Sequence, residues 1–117
     1  MAPHILVAVF IGSFTVTSYR SIPSQTDSSP YYTSIGEHVC NDGIAVSQDL
    51  LKDGTLKYGD WIYISGVGLK RVNDTMNERW TKRMYVWVEN KESEKRFFKK
   101  FKLHKLKVYK VKNDDRL

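Results

Sequence analysis

Lys70–Val88, KRVNDTMNERWTKRMYVWV, constrains this chain more than any other stretch. It reads as strand, sharp loop, strand. Leu69 and Val72 close one apolar run, and Met84, Val86 and Val88 alternate along the next. Between them lies Asn73-Asp74-Thr75, short polar side chains that bond nearby backbone and favour turns. Asp74 is therefore expected at a rigid strand end, where binding and catalytic groups are commonly placed.

The flanking residues extend the β pattern. Ile5–Phe14, ILVAVFIGSF, is too short for a membrane helix, which needs ~20 apolar residues. It reads as a buried strand rich in β-branched residues, in preference to the apolar region of a signal peptide, because Met1–His4 holds no lysine or arginine. Ser13–Arg20 reads as a further strand. Ser21–Gly36 is a long polar loop with two prolines, either functional or a solvated surface loop. Gly43–Val46 is a short apolar strand, and Ser47–Lys52 a brief helical turn with Ser47 or Asp49 as cap. Asp53-Gly54 and Tyr58-Gly59-Asp60 mark turns. Trp61–Ile64 is a strand with Trp61 and Tyr63 on one face and the isoleucines on the other. Gly66 and Gly68 turn it back as a hairpin into Leu69–Val72. Asn90 caps a helix over Lys91–Lys100, with Glu92 and Glu94 early and lysines late, as the helix dipole prefers. Phe97, Phe98 and Phe101 form its apolar side. Leu106–Val111 alternates apolar and basic as a last strand, and Asn113–Leu117 is a polar tail.

About seven strands and one late helix predict a mainly β domain, a small β-barrel of six strands or so. The expected boundaries are residues 1–13 as N-terminal strand or extension, 14–112 as barrel and 113–117 as tail. The length of 117 residues suits one core. Cys40 is the sole cysteine, so no disulfide forms within the chain and a multi-cysteine zinc site is excluded. His4, His38 and His104 show no ligand spacing, and no cofactor pattern is present. The net charge of +6 attracts polyanions, whether nucleic acid, acidic lipid or wall polymer. More than half of the lysines and arginines follow Val88. The run KRFFKKFKLHKLKVYKVK mixes charge with aromatics as a nucleic-acid reader would. It reads more simply as a solvated helix and an edge strand whose lysines block edge pairing.

The order of short motifs carries a resemblance. Thr26-Asp27-x-x-Pro30 and Thr33-x-x-Gly36 are followed by GIAVS-x-DLL, YGD-x-I-x-I and VNDTMN, then strand, helix and strand. This order, covering about Phe14–Val111, resembles the 3D domain, a family named for three aspartates. The resemblance implies a double-psi β-barrel, the fold shared with lytic transglycosylases that cut peptidoglycan and with expansin-like wall proteins. It further implies bacterial or phage origin, a place in the cell envelope or a phage particle, and peptidoglycan or another wall glycan as partner, with other virion proteins as a further class. Nucleic acid is not an expected partner, nor is a membrane span.

Family residues carry over at Asp27 and Asp74, with Thr33, Ala45, Val46, Gly59, Met76, Asn77 and Arg83 among the other matches. Two positions depart. The aspartate that resembles the acid/base of the catalytic members is replaced here by Tyr85, and an aspartate that many members carry after the GIAV-like strand is replaced by Ser47. Transglycosylation needs one carboxyl group that protonates the leaving oxygen and then takes a proton from the attacking hydroxyl, its pKa raised by its surroundings. Hydrolases generally use two carboxylates ~5–9.5 Å apart. Asp74 and Asp27 are the candidate catalytic pair, provided that the Ser21–Gly36 loop folds over the hairpin. Each also reads as a turn-forming residue. An unperturbed phenol titrates near ~10, so Tyr85 is a poor acid here but can bond or stack on a sugar. Thr33, Trp80 and Arg83 complete the expected substrate-binding set, with Trp80 rather than Trp87 as the exposed platform. The expected function is a weak or non-catalytic wall-associated barrel, with a structural part of a phage particle as one form of it. An active transglycosylase using Asp74 is the alternative, and a basic nucleic-acid-binding barrel the least expected.

Overall fold

The computed structural model describes residues 6–20, 36 and 42–113. In chain order the elements are β1 (Leu6–Tyr19), β2 (Gly43–Val46), α1 (Gln48–Lys52), β3 (Trp61–Ile64), β4 (Gly68–Thr75), β5 (Arg83–Trp87), α2 (Lys91–Phe101) and β6 (Lys105–Asn113). The six strands close into a barrel in the order β1-β5-β2-β4-β3-β6. Two pairs are parallel, β1 with β5 and β2 with β4. The other four are antiparallel. The protein is thus mainly β, a closed six-stranded barrel with a late helix, as the spacing of short apolar runs predicts.

Alternation decides what fills the barrel. Phe14, Val16, Ile44, Val46, Ile62, Ile64, Val72, Met84, Val86 and Val108 point inward and are buried. Leu50 of α1 and Leu56 join this core. Burying side chains of this size stabilises by roughly 1.5–3 kcal/mol each relative to exposure. Strand β3 follows the predicted alternation: Ile62 and Ile64 are buried, Trp61 and Tyr63 exposed. The Gly66 turn closes the β3–β4 hairpin, with the Val67 N–H donating to the Ile64 carbonyl at 2.9 Å.

Three expectations change. The two predicted N-terminal strands, Ile5–Phe14 and Ser13–Arg20, are one strand. Its residues from Leu6 to Thr15 pair with β6, and those from Thr15 to Tyr19 pair with β5. A register shift between Phe10 and Gly12 bends the strand without breaking it. Glycine in a β-rich run thus marks a bulge here, and the strand count falls to six.

Asn73-Asp74-Thr75 is also not a turn. These residues extend β4, because Asp74 and Thr75 find register partners in Ala45 and Val46 of β2. Asn73 is the extra residue at the β2–β4 register shift and is buried. The reversal lies instead at residues 76–82, where Asn77 Oδ1 accepts from the Arg79 N–H at 3.0 Å.

The last strand is not an edge. Strand β6 pairs with β1 on one side and β3 on the other, so its lysines do not serve to block an open edge. Asn113, placed in the polar tail from sequence, is the final residue of β6 and pairs with Leu6.

Helix α2 starts where expected. Asn90 Oδ1 accepts from the Ser93 N–H at 2.9 Å, and Lys102 ends the helix in a left-handed conformation. No residue of α2 is fully buried. Phe97 and Phe101 pack together with ring centroids 4.7 Å apart, whereas Phe98 is exposed and does not share their inner side. No helix among the described residues is long and apolar enough to cross a membrane.

Candidate functional site

The register places four residues in one row across the outside of the barrel. Thr17 of β1 faces Tyr85 of β5, Tyr85 faces Ala45 of β2, and Ala45 faces Asp74 of β4. Their sequence neighbours Val16, Met84, Ile44 and Val46 are core residues, so this row points outward. It bears a second, smaller cluster in which Tyr19, Ala45 and Met76 are buried and Trp80, Tyr85 and Trp87 pack against them. The Tyr19 and Tyr85 rings lie 5.8 Å apart and tilted by 40°. Among the described residues, Asp74, Tyr85, Trp80 and Arg83 all lie on this wall.

Asp74 sits half-buried on β4, and its Oδ1 accepts from the Thr75 N–H at 2.8 Å. Thr75 in turn donates its hydroxyl to the Val46 carbonyl at 3.0 Å. The carboxylate is therefore held on a strand that is itself tied to β2. Asp74 and Tyr85 are separated by two strand spacings, roughly 10 Å between backbones. Thr17 Oγ1 is buried beside this row without a hydrogen-bond partner.

Trp80 occupies the 76–82 loop but is half-buried rather than an open platform. The guanidinium of Arg83 stands 4.3 Å from its ring centroid and that of Arg79 4.8 Å, so both stack on the indole. Arg83 thus has a role within the protein that the motif alone does not reveal. Trp87 alternates out of the core, as predicted, and joins Tyr19 in the next row of the wall.

Ser47, at the other departure from the family pattern, has a structural role. It is fully buried, its Oγ accepts from the Arg83 N–H at 3.1 Å, and its own N–H donates to the Arg83 carbonyl at 2.9 Å. It occupies the N-cap position of α1, yet its side chain makes no cap bond, because Arg83 claims it. Asp49 is turned outward likewise: both carboxylate oxygens accept from the Lys82 N–H, at 3.1 and 3.4 Å. Helix α1 therefore anchors the loop that carries Trp80. Gln48 adds a bond from Nε2 to the Met76 carbonyl at 3.1 Å.

Asp27 and Thr33 lie outside the described residues, as does Cys40. Among the described residues no group of three histidine, cysteine or acidic side chains could hold a metal ion. Sequence reasoning missed Thr17, since nothing local marks a small residue as sharing a row with an acid three strands away, and it found Ala45 only through the family resemblance, without its place beside Asp74. No protein-family model matches the chain, and neither does any curated protein sequence.

Proposed function

We propose that this protein is a barrel associated with the bacterial cell wall, binding peptidoglycan or a related glycan with weak or no cleaving activity. The observation that supports this reading is the outward row Thr17–Tyr85–Ala45–Asp74. It joins the two positions that the 3D-domain resemblance marks for chemistry, and only one of them carries a carboxylate. Asp74 alone would have to protonate the leaving oxygen and then receive a proton from the attacking hydroxyl. Tyr85 and Trp87, both half-buried, offer amphipathic rings to a sugar chain. The double-psi character of the barrel belongs to this proposal as well; the two parallel pairs within one closed sheet support it.

The test is incubation with purified, protein-free sacculi. Retention of the protein on sacculi with little release of anhydro-muropeptides is expected. Asp74→Asn should change release little, whereas Tyr85→Asp should raise it. That substitution adds a second carboxylate two strands from Asp74, on the length scale of paired carboxylates in glycosidases. Strong release by the unmodified protein, abolished by Asp74→Asn, would establish an active transglycosylase instead.

A further inference from the structure

The wall opposite the candidate site carries a second patterned surface. In the barrel order, β6 and β3 lie across from β5 and β2. Phe10, Tyr109 and Tyr63 face one another across β1, β6 and β3, and Leu69 continues the row on β4. The ring centroids are 5.4 Å apart for Phe10 and Tyr109 and 6.4 Å for Tyr109 and Tyr63. A parallel row holds Ala8, Val111, Trp61 and Arg71. Phe10 is 54% exposed, Tyr63 43%, Trp61 42% and Leu69 53%. The core needs none of these residues outside, and a continuous apolar surface of this kind marks a place of contact.

Charge decides the partner. The strands β1, β3 and β6 contain no carboxylate, and the one in β4, Asp74, belongs to the other wall. Lys105 and Lys107 precede Tyr109 on the outward side of β6, and Arg71 borders Trp61. Of the acids that border it, Asp60 is engaged with Lys110 at 3.2 Å and with the Lys57 N–H at 2.9 Å, and Asp42 lies beside Arg71, whose N–H donates to the Asp42 carbonyl. A two-fold dimer through this face would set the same cations against themselves, which is unfavourable. The complementary occupant has flat apolar surfaces and negative charge.

We infer that this aromatic, basic face is a second glycan-binding surface, holding a peptidoglycan strand by stacking its sugars on Trp61, Tyr63, Tyr109 and Phe10 while Lys105 and Lys107 meet the carboxylates of its peptide stems. The inference rests on the wall-glycan reading above. It adds a contact that leaves the Asp74 wall free, so one molecule can bridge two strands or remain bound while presenting its other side.

The test is sedimentation with purified sacculi, across a salt series, using proteins shown by circular dichroism to be folded. Trp61→Ala and Tyr63→Ala should each weaken retention about tenfold, as loss of an anchoring aromatic does at a contact surface. Lys105→Gln with Lys107→Gln should flatten the salt dependence. Tyr85→Ala, on the other wall, should leave a binding component that the Trp61→Ala, Tyr85→Ala double variant lacks. Titration with chitohexaose, a neutral glycan, should change tryptophan emission less in Trp61→Phe than in the unmodified protein, the remainder arising from Trp80 and Trp87 on the other wall. Unaltered sacculus binding by Trp61→Ala and Tyr63→Ala would overturn this inference and leave the wall reading standing. Absence of sacculus binding by the unmodified protein would overturn both. Concentration-dependent self-association, or binding to a single-stranded oligonucleotide, lost on Trp61→Ala without any effect on sacculi, would assign the face to a second copy or to nucleic acid.

Discussion

Gly43 and Asn73 show how a single side chain can dictate its neighbour. Asn73 is turned into the protein by the β2–β4 register shift, and its amide lies against the backbone of Gly43. A Cβ on Gly43 would stand 2.5 Å from Asn73 Nδ2 and 3.0 Å from its Cγ, closer than atoms can pack. Gly43→Ala should therefore destabilise the protein by about 2 kcal/mol or more, although alanine normally suits a strand better than glycine. Asn73 Nδ2 has no hydrogen-bond partner, so truncating Asn73 removes a buried polar group that contributes little. Asn73→Ala introduced into Gly43→Ala should restore most of the loss. Urea unfolding of the four proteins in a double-mutant cycle measures this; simple additivity would show that the clash is relieved some other way. Glycine at 43 and asparagine at 73 are plain in the sequence, but Gly43 reads locally as the start of a short strand and Asn73 as a turn residue. Only the pairing of their strands shows that one exists for the other.

Among the elements, α2 was the most legible and is the least integrated. Its cap, its acidic first turn and its basic last turn follow from local chemistry, and the structure reproduces all three. Its packing does not follow. Phe101 lies against the β3–β4 turn, where a Cβ on Gly66 would meet its ring at 3.0 Å, but no α2 residue is fully buried. An open groove of about 580 Å³, lined by Phe97, Phe98 and Phe101 together with Val16 and Thr17, runs between α2 and β1, and Phe97 is the helix residue that reaches the core. A helix held this loosely opens below the global unfolding free energy. Asn90→Ala should cost about 1 kcal/mol of helix stability. Hydrogen exchange should show that loss in the amides of α2 while those of β2 and β5 keep their protection. Equal loss of protection in the barrel strands would mean that the helix and barrel unfold as one unit.

For the whole molecule, closure depends on contacts far apart along the chain. Leu6 pairs with Asn113, and Thr15 pairs with both Lys105 and Arg83. Folding must close these loops before the barrel is complete, an entropic cost that slows non-local β topologies. Refolding from urea should accordingly be slow, on the order of milliseconds to seconds. Stopped-flow tryptophan fluorescence reports it directly, since Trp61 and Trp87 lie on opposite walls. A dominant phase in the microsecond range would contradict the role given to β1.

The residues alone determined the alternation that sorts inward from outward side chains. They also determined the turns at Asp53-Gly54 and at Gly66, the Asn90 cap, and a mainly β chain of barrel size. These depend on local backbone geometry and on period-two patterning, which neighbours in sequence express. Tertiary structure decided that β1 is one strand with a different partner on each edge, that β4 runs on through Asp74, and that β6 lies inside the sheet. It also decided the row from Thr17 to Asp74 and the aromatic face across from it. The reason is physical: a strand offers the same backbone donors and acceptors to any partner, so local pattern does not choose among strands. That choice is made by the shared core, by the bulges near Gly12 and at Asn73, and by the closure of the barrel.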